Sequence, residues 1–156
     1  MSATPEMLRA VAQRMTQECP QAVAIGMVTL SLAPEMALLK APYREDLVGD
    51  PDTGVIAGGV VTTLLDHACG QAVMAVLGQP QPVATLDLRI DYMRAAEPGL
   101  DILARAHCYK VTHSVAFVRA TAYDRDPEDP VATAQAAFML TNHAASPAPV
   151  DEAAQP

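Results

Sequence analysis

The period of the hydrophobic positions changes along the chain, and each change predicts an element. Between Pro5 and Glu18 the apolar residues Met7, Leu8, Val11 and Met15 recur at helical spacing, with Pro5 suited to a first helical turn and Pro20 ending the segment. Val23 to Leu32 and Met36 to Tyr43 are short apolar runs on either side of Ala33-Pro34-Glu35 and predict a β-hairpin. The stretch from Leu47 to Gly54, rich in Gly, Pro and Asp, predicts a loop that delivers the chain to a helix N-terminus. That helix, from about Val55 to Leu77, is apolar nearly all round and roughly 35 Å long at about 1.5 Å per residue. A helix with no polar face needs other elements to wrap it.

The wrapping is predicted downstream. Thr85 to Tyr92 alternates, with Leu86, Leu88, Ile90 and Tyr92 on one face and Asp87, Arg89 and Asp91 on the other, the pattern of a half-buried antiparallel strand. Asp101 to Val111, Val115 to Tyr123 and Val131 to Asn142 predict three more strands, joined through Thr112-His113-Ser114 and through Asp124 to Pro130, so that the sheet reads as a meander. One face of each is small: Ala104, Ala106 and Cys108, then Ala116, Val118, Ala120 and Ala122, then Ala132, Ala134 and Ala136. Small faces let a helix backbone approach closely. The order predicts an α+β chain, one curved antiparallel sheet wrapped around a long central helix, which is the hotdog fold. Residues 1–143 are expected to form this single domain, with a helix in residues 1–20, and residues 144–156, mostly Ala, Pro and acid without period, a disordered tail.

Composition narrows the class. The 156 residues are 51% hydrophobic and 18% charged, a balance that folds. Ten Lys and Arg against 18 Asp and Glu give a charge of −8, without the basic footprint of a nucleic-acid binder. The apolar run from Val55 to Gly78 carries Asp66 and His67 near its centre along with Gly58, Gly59 and Gly70, so it predicts a buried helix and not a membrane span. Cys19, Cys69 and Cys108 are odd in number and contain no Cys-x-x-Cys pair, which argues against a disulfide framework or a cysteine zinc site and predicts a cytoplasmic protein. The first twenty residues mix acids and bases and lack the apolar core of a secretion signal. No two of the four histidines show metal-ligand spacing, no serine sits in a Gly-x-Ser-x-Gly elbow, and Cys69 and Cys108 have no evident base. No metal, no cofactor and no nucleophilic triad is expected.

The candidate chemistry centres on Asp66, the sole carboxylate from Thr53 to Leu86. It lies two turns into the predicted helix, beyond the first turn where a carboxylate merely complements the helix dipole. The functional reading is a general base or nucleophile, with backbone amides at the Gly58-Gly59 helix start aimed at an electrophilic carbonyl oxygen. The bland reading of each glycine is close helix packing. His67 lies about 100° round the helix from Asp66 and reads as a core or interface histidine.

These residues resemble a known family. The run Tyr43-Arg-Glu-Asp-Leu-Val-Gly-Asp-Pro-Asp-Thr-Gly-Val-Ile-Ala-Gly-Gly-Val-Val-Thr-Thr-Leu-Leu-Asp66, followed by Ala84-Thr-Leu-Asp-Leu-Arg-Ile-Asp-Tyr-Met-Arg94, is similar to the hotdog-fold acyl-CoA thioesterases of the phenylacetate-degradation and 4-hydroxybenzoyl-CoA type, over roughly Leu38 to Leu140. The resemblance implies that Gly58 offers its amide to the thioester carbonyl and that Asp66 attacks or activates water. It implies substrate contacts at Gly59 and Thr63 and coenzyme contacts at Arg94, Lys110 and the His113-Ser114 turn, with Arg119 a further cation. It also implies a small to medium acyl-CoA as substrate, aromatic ones included, and a homo-oligomer, dimer or dimer of dimers, in which Gly58 of one chain faces Asp66 of the next. The family usually writes His-Gly-Gly where this chain has Ala57-Gly58-Gly59, and the loop Asn or Gln often found six residues before that histidine falls near Pro51. The alternative is therefore a non-catalytic protein that binds acyl-CoA or a fatty acyl group. A hotdog hydratase or dehydratase is weaker still, since it needs a histidine across the site and His67 is on the wrong helix face.

Overall fold

The computed structural model describes residues 4–79 and 81–141; the predicted tail at 144–156 lies outside them. Thr4 caps helix α1 (Pro5–Ala12) by accepting a hydrogen bond from the Met7 amide, and a π turn at Gln13–Gln17 follows. Pro20 does more than end this segment. Its fixed φ opens a second short helix, α2 (Pro20–Ile25), which Gly26 closes in the left-handed conformation at φ 77°. The predicted strand from Val23 is thus split, and strand β1 (Val28–Ala33) begins only after that glycine, pairing with β2 (Met36–Ala41) across the predicted turn.

The connecting stretch is more ordered than a loop. It forms a small ribbon of β3 (Val48–Asp50) and β4 (Val55–Ile56), so Val55 and Ile56 leave the predicted helix, and α3 runs from Gly58 to Leu77. Helix α3 is long and apolar enough to cross a membrane by composition, yet here it is the core helix: Leu64, Leu65, Ala68, Cys69, Ala72 and Val73 are wholly buried. The remaining strands are β5 (Val83–Tyr92), β6 (Ile102–Val111), β7 (Val115–Tyr123) and β8 (Ala132–Leu140). One six-stranded antiparallel sheet results, in the order β1-β2-β6-β7-β8-β5.

The register explains how this sheet holds a helix. Cross-strand neighbours share a face, and two rows run Leu39–Ala104–Ala122–Ala132–Tyr92 and Ala37–Ala106–Ala120–Ala134–Ile90. A third runs Cys108–Val118–Ala136–Leu88. The middle of each row is small and buried and the bulk gathers toward the β5 edge, which gives a shallow cradle. A buried polar tie fixes β1 to the helix, where the Thr29 hydroxyl donates to Gln71 Oε1 at 3.0 Å.

Only β6, β7 and β8 form the predicted meander; β5 pairs with β8 at the far edge and not with β6. The cause is the 93–101 connection, which crosses beneath the ends of β8 and β7 and is pinned there. Met93 N donates to Val131 O, and the Arg94 guanidinium clasps Asp124 through Nη1 at 2.9 Å and Nη2 at 2.6 Å. The Asp124 side chain is 1% exposed and also accepts from the amides of Glu97 and Arg125. The Arg94 guanidinium beside it holds the Asp124 carboxyl well below the usual carboxylate range. In the unfolded chain that carboxyl takes up its proton near 3.8, while the folded one stays ionised, so the stabilisation is complete above this value and is lost as the pH falls. Asp124→Asn is expected to cost about 2–3 kcal/mol near neutral pH in urea unfolding. Its stability should then fall less than that of the parent when the pH is taken to about 3.

Candidate functional site

The helix start is set by backbone contacts. Ala57 N donates to Leu47 O at 2.9 Å, and β3 passes so close that a Cβ at Gly49 would lie 2.7 Å from Ala57 Cα. Ala57 is the N-cap and makes no side-chain cap bond. Gly58 and Gly59 donate no hydrogen bond among the described residues, which leaves two amides at the positive end of the α3 dipole. The space beside Gly59 is open, since a Cβ there would meet nothing within 4 Å. The Thr62 and Thr63 hydroxyls bond back to Gly58 O at 3.1 Å and Gly59 O at 2.8 Å, and the Tyr92 hydroxyl donates to Gly58 O at 2.7 Å. Tyr92 thus locks the first turn of α3 to the edge strand.

Asp66 stands on the same exposed stripe of α3 as Gly59, seven residues on and so about 20° apart round the helix. It is half-buried, and Thr85 Oγ1 donates to its Oδ1 at 2.9 Å. Asp66 Oδ2 accepts no bond among the described residues. Sequence alternation had placed Leu86 on the helix side of β5 and Thr85 away from it. A β-bulge between Thr85 and Asp87 reverses this: Thr85 pairs with the buried Phe138, while Leu86 is left unpaired and 52% exposed. Thr85 and Tyr92 are therefore site residues that residue counting missed. A period of two cannot reveal a bulge.

The described residues gather Gly59, Thr63 and Asp66 on one stripe, with Gly58 beside it at the helix start, but not the other candidates. Arg94 is corrected from a coenzyme contact to a structural clamp. Besides Asp124 it donates to Ala95 O and Asp129 O, so its Nη groups are taken, while its Nε, 3.1 Å from Asp129 Oδ2 but without a hydrogen bond, is buried and out of reach of a phosphate. Lys110 pairs in register with Phe117, on the sheet face away from α3, where Arg119 stacks on Tyr109 at 4.4 Å. His113 and Ser114 bond to each other at 3.1 Å at the exposed tip of the β6–β7 hairpin. That tip and Lys110 lie at the Thr85 end of the sheet, whereas Arg94 lies at the other, roughly 20 Å away along the strands at about 3.3 Å per residue.

The remaining titratable side chains near α3 offer no nucleophile. Burial pushes the Cys108 thiol up to about 11 and the Cys69 thiol higher still, against thiolate chemistry at neutral pH. His67 Nδ1 is buried without a hydrogen-bond partner, off the Asp66 stripe. Among the described residues no group of three His, Cys, Asp or Glu side chains is placed to hold a metal ion.

Known proteins are similar to this chain in sequence and in fold. The profile of the Thioesterase superfamily matches residues 53–131, the segment that runs from the turn before α3 to the start of β8. A protein of Halobacterium salinarum is 39% identical over 80 residues, 49% of this chain, which spans about half (52%) of that relative's length. Human acyl-coenzyme A thioesterase 13 is 29% identical over 118 residues, 75% of this chain and 82% of the human protein. A crystal structure from Pseudomonas aeruginosa superposes with a TM-score of 0.79 at 38% identity, covering 86% of this chain and 99% of that one. With the profile resting on the helix that carries Gly58, Gly59 and Asp66, the chain belongs to the thioesterase superfamily and has its hotdog fold.

Proposed function

We propose that the protein hydrolyses a small to medium acyl-CoA, aromatic ones included, to the free acid and coenzyme A. The observation that carries this is a carboxylate with one oxygen tethered by Thr85 and the other free, on a helix whose first turn holds two unbonded amides. Relatives named as acyl-coenzyme A thioesterases support the substrate class. Asp66 acts as general base: it takes a proton from water, whose oxygen bonds to the thioester carbon. The carbonyl oxygen becomes an oxyanion held by the Gly58 or Gly59 amide, and its collapse breaks the C–S bond so that the thiolate leaves and is protonated. The Ala57 and Pro51 departures leave these two groups as the whole catalytic set. Asp66→Asn is expected to lower kcat/KM by about two to four orders of magnitude without loss of helical signal in circular dichroism. Turnover equal to the parent's, or saturable acyl-CoA binding with no turnover by the parent, would count against this mechanism.

The helix itself argues that a second chain completes each site. Gly58 and Asp66 are eight residues apart, about 12 Å along α3, too far for one thioester to touch both. In the proposed dimer the Gly58 amide of one chain faces Asp66 of its partner, and the free edge of β5, with Leu86 and Met93 exposed beside it, supplies an apolar border to bury. Neither Gly59→Val, which fills the open space at the helix start, nor Asp66→Asn is expected to be active alone. Co-expressed, they form mixed dimers with one intact site each, and about a quarter of the parent activity is expected to return. A site contained within one chain would give no recovery.

A further inference from the structure

We infer that Tyr92, reaching in from the edge strand β5, is the positioning residue of the oxyanion site: its hydroxyl stands in for an absent helix cap and holds the Gly58-Gly59 peptide still while charge builds on the thioester oxygen. This rests on the proposed thioesterase reading and extends it to a residue that acts through the backbone. The start of α3 is poorly built to hold its own shape. Ala57 at the N-cap offers no side-chain bond, and the two residues that follow are glycines, the least restrained of all. Packing demands neither of them. Outside its own helix a Cβ at Gly58 would meet nothing nearer than the Tyr92 hydroxyl at 3.7 Å, an ordinary contact, and one at Gly59 would meet nothing within 4 Å. An oxyanion site works to the extent that its donors are fixed before the charge forms. These two amides therefore need a restraint from outside the helix.

Tyr92 supplies it through the Gly58 carbonyl. Its hydroxyl donates to Gly58 O at 2.7 Å, and the Thr62 hydroxyl lies 2.7 Å from the Tyr92 oxygen and 3.1 Å from the same carbonyl, closing a triangle around it. The Gly58 carbonyl and the Gly59 N–H belong to one planar peptide, so a bond that fixes the oxygen fixes the direction of that amide. Drawing electron density onto the carbonyl oxygen also makes the N–H across the peptide a stronger donor. The same plane sets ψ at Gly58, whose own N–H is the neighbouring open amide. The Tyr92 ring is 51% exposed, and the hydroxyl is what ties it to the helix. The β5 bulge lets one strand serve both ends of the site. Thr85 and Tyr92 are seven residues apart, an odd number that a regular strand would send to opposite faces. The extra residue between Thr85 and Asp87 brings both round to α3, where one holds Asp66 and the other Gly58.

The test is kcat and KM for an acyl-CoA that the parent hydrolyses, together with Ki for the matching S-alkyl-CoA thioether, which lacks the carbonyl. The proteins are the parent, Tyr92→Phe, Thr62→Val and Asp66→Asn. Tyr92→Phe keeps the ring and removes only the hydroxyl. It is expected to lower kcat by about five- to thirtyfold, less than the loss of a whole oxyanion donor, with KM and the thioether Ki within about twofold of the parent and the helical signal in circular dichroism unchanged. Should Tyr92→Phe fail to fold, Thr62→Val, which takes the second hydroxyl from the same carbonyl, is expected to give the same split between kcat and KM. A kcat equal to the parent's in Tyr92→Phe, with Asp66→Asn silent, overturns the positioning role and leaves the hydrolase intact. A thioether Ki that rises as far as kcat falls also overturns it, making the tyrosine a support for the binding surface alone. Hydrolysis at the parent's rate in Asp66→Asn overturns the hydrolase reading, and the positioning role with it.

Discussion

Alanine brings almost no bulk to a packed face and loses no side-chain entropy on burial, and the central strands present it, cysteine or valine at every helix-facing position from Ala104 to Cys108, Ala116 to Ala122 and Ala132 to Ala136. Helix α3 can therefore settle onto the sheet with its own Leu64, Leu65, Ala68 and Val73 filling the gap. Interiors pack to crystal-like density, so a larger residue at any of these positions forces the helix outward. The height of α3 above the sheet fixes the height of Asp66 relative to Thr85, and with it the hydrogen bond that orients the carboxylate. Packing on one side of the helix is in this way the cause of geometry on the other.

The stripe left uncovered is narrow. Around most of its circumference α3 is enclosed by sheet, by the α1 and π-turn segment, and by β1 through the Thr29–Gln71 bond. What remains is the line through Gly59, Thr63 and Asp66, with Tyr92 at its start; past Asp66 the helix is covered again, Gly70 being buried against Met15 and Phe138. Placing polar chemistry on an otherwise apolar helix is costly unless each group is either bonded or open to a ligand. Asp66 meets this with one oxygen of each kind, and the Gly58 and Gly59 amides are of the open kind.

Much of this was legible from residues alone, and the exceptions share a cause. The buried helix, the small strand faces and the pairing of two glycines with a lone acid follow from spacing along one segment, which a linear reading sees well. Three features depend on partners distant in sequence. Arg94 reads as a free cation until Asp124, thirty residues on, is folded against it. Thr85 reads as outward-facing until β8 imposes a bulge on β5. The order of β5 in the sheet depends on how the 93–101 crossover is pinned. The splitting of the Val23 to Leu32 run is a different matter: Pro20 and Gly26 do signal α2, but six residues between them are too few for a helical period to show.

The contact of Gly49 with Ala57 gives the two halves of the chemistry unequal fates under mutation. The proposed oxyanion donors are main-chain groups, anchored by a ribbon whose strands touch backbone to backbone, so no exchange of side chain at Gly58 or Gly59 short of proline can delete them; it can only obstruct them. The carboxylate, in contrast, vanishes with a single codon change. A lineage carrying this scaffold would forfeit turnover through position 66 while retaining an intact cleft for the ester, and descendants that only sequester acyl groups are the form such decay would take.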